Sequence, residues 1–93
     1  MENTESKPDG ISISGDVTTL DRIGPPGTCR VVMVPARGPV RQRLLAFGFV
    51  PGAVVEAVRT APLGDPIEYK VKGACISLRK EDARLISVTC GGV

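Results

Sequence analysis

The chain has 93 residues, 42% of them hydrophobic but only 3% aromatic, with no His, no Trp and a formal net charge of +2. One domain is expected from that length, with room for a single small core but not for a deep catalytic cleft. No apolar run reaches the roughly 18 residues of a membrane-spanning helix, and no charged-then-apolar leader opens the chain. Cys29, Cys75 and Cys90 form an odd, widely spaced set without a Cys-x-x-Cys, which argues against a secreted disulfide framework and for a cytoplasmic location.

Residues 1–16 hold Glu2, Asn3, Thr4, Glu5, Ser6, Lys7, Pro8, Asp9 and Gly10 with almost nothing apolar. Such a segment cannot offset the entropy of ordering it, and a disordered tail is expected there. The remaining roughly 75 residues make a domain that buries only about 60% of its unfolded surface. With aromatics scarce, the core falls to Val and Ile, whose β-branched side chains suit a pleated sheet.

Leu20 and Ile23 lead into the domain and are expected to plug one end of the core, with Asp21 capping a short turn. Residues 28–34 read as the first strand; their apolar side chains do not alternate, so either face could be the buried one. A turn at Pro35, Ala36, Arg37 and Gly38 precedes the one clear helix. Pro39 fits its first turn, where a missing N–H costs nothing. Val40, Leu44 and Phe47 then recur at i, i+4 and i+7, with Leu45 beside them, as an apolar stripe. Arg41, Gln42 and Arg43 take the opposite face, and Gly48 supplies a left-handed stop.

Phe49, Val50, Pro51 and Gly52 form a turn whose Pro-Gly pair fits type II geometry. Residues 54–60 are the second predicted strand, and 61–66, rich in Pro and Gly, break the chain before the third, 67–72. There Ile67, Tyr69 and Val71 alternate with Glu68, Lys70 and Lys72, the cleanest period-2 pattern in the sequence. Gly73 turns into a fourth strand at 74–79, residues 80–83 read as a single helical turn, and 85–88 as a fifth strand. The expectation is a mainly β chain: a small, five-stranded, partly open barrel with one short helix between strands 1 and 2.

Charge is unevenly spread. Residues 1–21 carry five acids and one base, whereas residues 22–93 carry 11 bases and five acids. A basic domain favours an acidic protein surface, a nucleic acid or an anionic lipid, although scarce aromatics leave few platforms for stacking bases.

The run Arg43, Leu44, Leu45, Ala46, Phe47, Gly48, Phe49, Val50, Pro51, Gly52 resembles the signature segment of the FeoA family. Residues 61–67 are similar to that family's loop containing Gly-Asp-Pro, and residues 71–79 to its block ending in Leu-Arg. Glu81, Asp82 and Ala83 stand where its Glu-Ala pair is usual, and Leu20, Gly27 and Val31 fit its opening strand. The resemblance implies an SH3-like barrel over residues 17–89, flanked by tails at 1–16 and 90–93. It implies a cytosolic accessory of bacterial ferrous-iron uptake that binds and regulates the membrane transporter FeoB, whose cytoplasmic portion carries a GTP-binding domain. The same barrel ends metal-responsive repressors of the diphtheria-toxin-repressor type; with no winged helix ahead of it here, the accessory role is expected.

Partner-binding candidates follow from surplus and placement. Five apolar residues in the seven positions 44–50 exceed what one helix face buries in a small core. Leu45, Phe49 and Val50 are therefore candidates for an exposed apolar patch, one that also makes self-association conceivable; the bland alternative has Phe47 plugging the barrel and the rest merely turning the chain. Leu63 and Asp65 at the tip of a rigid loop are either presented to a partner or simply fix a corner. Arg41 and Arg43, with Arg37, Arg59, Lys70, Lys72 and Arg79, form either a solvated basic face or a docking patch.

No catalytic role is expected, because without His no nucleophile–base pair assembles unless a lysine or carboxylate serves as base, and no phosphate-binding Gly-rich loop occurs. No cofactor and no native metal site are expected: the cysteines are far apart, and the adjacent Glu81 and Asp82 point in different directions on a helical turn. A small basic nucleic-acid-binding barrel and a metal-sensing module are the alternatives to the accessory reading.

Overall fold

A computed structural model describes residues 17–90. The elements run β1 (Val17–Thr19), a 3-10 turn (Leu20–Arg22), β2 (Thr28–Met33), α1 (Pro39–Phe47), β3 (Val54–Thr60), β4 (Ile67–Val71), β5 (Ala74–Leu78), α2 (Lys80–Ala83) and β6 (Ser87–Cys90). The strands form one sheet in the order β1-β6-β2-β3-β4-β5, every neighbour antiparallel. Among the described residues no ladder joins β1 to β5, so the sheet is not closed.

The expected mainly β architecture is therefore present, with six strands among the described residues where five were expected. The added strand, β1, pairs through Val17, Thr18 and Thr19 with Thr89, Val88 and Ser87. Its three residues are too few to show a period, and their partners lie at the far end of the sequence. The last strand is displaced from 85–88 to Ser87–Cys90: Leu85 is exposed in the preceding turn, and Ile86 is buried just before the ladder begins. Cys90 thus belongs to the sheet and not to a tail. The expected tail at 1–16, and residues 91–93 of the expected tail at 90–93, lie outside the described residues.

Helix α1 has the predicted bounds, and β3 those read from the sequence. In β4, Ile67, Tyr69 and Val71 are buried while Lys70 is exposed. The open question of which face of β2 is buried is resolved by an irregularity: Cys29 and Val31 point inward, and the register then shifts between Val31 and Met33, leaving Met33 exposed. A second shift lies between Ala57 and Arg59. Such bulges bend and twist a strand locally.

The core contains Tyr69, Phe49, Leu20, Leu44, Ile86, Val55, Val71 and Val88, each under 2% exposed. Leu20 is fully buried and Ile23 packs partly against the core; the Leu20 amide donates to the Ile86 carbonyl at 2.9 Å. Asp21, instead of capping the 3-10 turn, accepts from the Thr19 hydroxyl. Of the helical stripe only Leu44 is fully buried; Val40, Leu45 and Phe47 pack partly against the core.

Candidate functional site

The end of α1 determines which aromatic side chain enters the core. Gly48 adopts φ +107°, its amide donating to the Leu45 carbonyl at 3.0 Å while the Phe49 amide donates to Leu44 at 3.0 Å. These are the two hydrogen bonds of a glycine-terminated Schellman motif. The reversal drives Phe49 inward, where it is 0% exposed and meets Tyr69 edge to face. Phe49 therefore cannot belong to an exposed docking patch. Leu45 and Val50 are half-buried and packed on the core, and Phe47, expected as the barrel plug, is also only half-buried. The following turn closes with the Ala53 amide on the Val50 carbonyl at 2.9 Å, Gly52 holding φ +92°.

The loop at 61–66 is held at three points. The Ala61 amide donates to the Pro66 carbonyl at 3.0 Å and the Gly64 amide to Ala61 at 2.7 Å. Asp65 Oδ1 accepts from the Lys80 amide at 2.9 Å, so this carboxylate serves the first turn of α2 from across the chain. Leu63 projects from this fixed frame at 96% exposure, the most exposed of the large apolar side chains described.

Helix α2 links the loop to α1. Arg43 donates through Nη2 to Asp82 Oδ2 at 3.0 Å, and Lys80 Nζ lies 3.6 Å from where a Cβ on Gly64 would stand. One end of the molecule thus gathers Leu63, Asp65, Lys80, Asp82 and Arg43, from three segments distant in sequence. Arg43, Leu63 and Asp65 are among the residues singled out from the sequence. Lys80 and Asp82 are additions, which no local pattern marks because their partners lie 15 and 39 positions away, respectively. Arg41 stands apart: its Nη1 donates to the Pro35 carbonyl at 2.9 Å, bracing the chain that enters α1.

Basic side chains outnumber acidic ones over the described residues, and two ion pairs form among them, Arg43–Asp82 and Arg59–Glu68. Arg30, Arg37, Lys70, Lys72, Arg79 and Arg84 are exposed. Among the described residues no group of three or more His, Cys, Asp or Glu side chains could hold a metal ion, and no helix is long and apolar enough to cross a membrane. The three cysteines are free thiols; burial, reinforced by Cys90, pushes the Cys29 thiol up to about 12. Burial, with lesser contributions led by Asp21, also raises the Tyr69 phenol.

Comparison with known proteins extends this geometry. Over 58 residues the chain is 45% identical to the Fe(2+) transport protein A/Fe(2+) transporter FeoB fusion protein of Porphyromonas gingivalis; the match covers 62% of this chain and 7% of the fusion. The solution structure of the FeoA protein of Chlorobium tepidum superposes with a TM-score of 0.74 at 35% identity, covering 80% of this chain and 70% of that one. The zinc complex of FeoA from Stenotrophomonas maltophilia, an SH3-domain protein, superposes with a TM-score of 0.68 at 28% identity over 76% of this chain and 88% of that one. The FeoA domain model matches residues 18–90, which takes in β2 to β6, all of β1 but Val17, both helices and the Leu63 loop, and the chain belongs to the FeoA family.

Proposed function

We propose that this chain is a cytoplasmic accessory of ferrous-iron uptake that binds the cytoplasmic portion of the transporter FeoB and regulates it. The observation that carries this reading is the fusion: in Porphyromonas gingivalis a segment 45% identical to this chain shares a polypeptide with FeoB. Covalent linkage holds two modules at a high effective concentration, an arrangement suited to modules that touch.

The end formed by Leu63, Lys80, Asp82 and Arg43 is the docking surface in this reading. A loop held by three hydrogen bonds presents Leu63 with little entropy left to lose on binding. The basic surplus of the domain as a whole serves encounter with an acidic surface, which shows in association rate and salt dependence more than in affinity. The competing nucleic-acid reading has few stacking platforms, since Phe49 and Tyr69 are both at 0% exposure and Phe47, the third aromatic, is half-buried.

Ferrous-iron uptake in cells lacking this chain tests the proposal. Restored uptake on re-expression, together with recovery of FeoB when the tagged chain is purified from membranes, is the expected result. Unchanged uptake, or recovery of nucleic acid in place of the transporter, would reject it.

A further inference from the structure

We propose that Cys29 and Cys90 form a cross-strand dithiol site that an oxidant of the peroxide class converts to an intramolecular disulfide. Cys29 on β2 stands directly opposite Cys90 on β6, and directly opposed residues of an antiparallel pair project to the same face. Cys29 is buried, and Cys90 packs partly against the same core.

The hydrogen bonds define the kind of pair. Gly27, just before β2, accepts from the Ala57 amide at 2.8 Å, and on β2 the Val31 amide donates to Ala53 at 2.9 Å, so both turn their backbone groups toward the β3 side. Cys29, midway between them and paired with Val55, does the same. Toward β6, Cys29 and Cys90 are therefore a non-hydrogen-bonded pair, in which Cα atoms approach to about 4.5 Å and side chains come closest. A disulfide requires Cα atoms about 4.4–6.8 Å apart. The influence of Cys90 on the Cys29 thiol is a second sign of their proximity. Cys75 is exposed on β5, beyond β3 and β4 in the sheet order, and cannot reach either one.

With hydrogen peroxide the chemistry balances in two steps. The Cys90 sulfur, the more accessible of the pair, attacks peroxide: an S–O bond forms, the O–O bond breaks and water leaves, giving a sulfenic acid. The Cys29 sulfur then attacks the Cys90 sulfur, the S–O bond breaks, and the thiol proton departs with hydroxide as a second water. Two electrons pass from sulfur to peroxide. The product ties β6, which carries β1 on its other edge, to β2 across most of the folded chain.

The test exposes the chain bearing Cys75→Ser to stoichiometric hydrogen peroxide and follows intact mass, thiol content after denaturation, and disulfide-linked peptides. Expected are a mass lower by two hydrogens, no remaining thiol, a linked Cys29–Cys90 peptide, and a higher denaturation midpoint that dithiothreitol reverses; adding Cys90→Ser abolishes all four. Peptide mapping of the unsubstituted chain gives the same readout should Cys75→Ser disturb folding. Oxygen addition at Cys90 with Cys29 still titrating as a thiol, or dimers linked through Cys90, would overturn the proposal.

Discussion

The rings of Phe49 and Tyr69 meet edge to face, their centroids 6.4 Å apart and their planes at 89°. Both side chains are fully buried, so a chain with three aromatic residues spends two of them on one contact at the centre of its core. Such a pair contributes about 0.5–1.5 kcal/mol beyond the area it buries. Phe49→Ala is expected to cost about 3–5 kcal/mol in chemical denaturation, a large share of a small domain's stability. Phe49→Asp is expected to unfold the chain, so loss of partner binding in that variant would report unfolding. Near-native stability for Phe49→Asp would contradict this arrangement.

Stability is expected to fall at alkaline pH. Unperturbed, Cys29 titrates at 9.0 and Tyr69 at 10.0, whereas in the folded chain both hold their protons higher, Cys29 to about 12. Above pH 9.0 the unfolded state therefore binds fewer protons than the folded one, and stability declines as pH rises. It is fully present below that pH. Cys29→Ala removes the first of the two groups and should move the onset toward 10.0, measured as denaturant midpoint against pH. An unmoved onset would contradict the assignment to Cys29.

Asp65 holds the start of α2, so removing its carboxylate should loosen α2 and, through Asp82, the ion pair with Arg43. Asp65→Ala is expected to cost about 1 kcal/mol, the usual loss for a helix-capping oxygen. Asp65→Asn, which keeps an acceptor, should cost less. Thermal unfolding of the two variants separates these outcomes, and equal midpoints for both and for the parent would show that the contact contributes nothing.

Local patterns in the sequence were sufficient for α1, β3 and the two faces of β4, because each rests on a period, a capping glycine or an alternation contained within its own segment. What they could not show depends on distant partners. β1 exists only because β6 supplies its ladder. Phe47 satisfies the helical stripe, yet the left-handed Gly48 reverses the chain and carries Phe49 inward in its place. Of the docking candidates, Leu63 reads as exposed from its turn-rich surroundings and is so. Its neighbourhood with Lys80, Asp82 and Arg43 follows from the fold alone.

The most direct test of the proposed docking surface is a titration of this chain against the isolated cytoplasmic portion of FeoB, comparing the parent with Leu63→Asp. Leu63 is 96% exposed and contributes almost nothing to the core, so the substitution should leave the denaturation midpoint unchanged. The account predicts saturable, salt-sensitive binding by the parent and at least about tenfold weaker binding by the variant, the loss of roughly 1.4 kcal/mol at an interface anchor. Equal affinity of the two, or no binding by the parent at low salt, would contradict it.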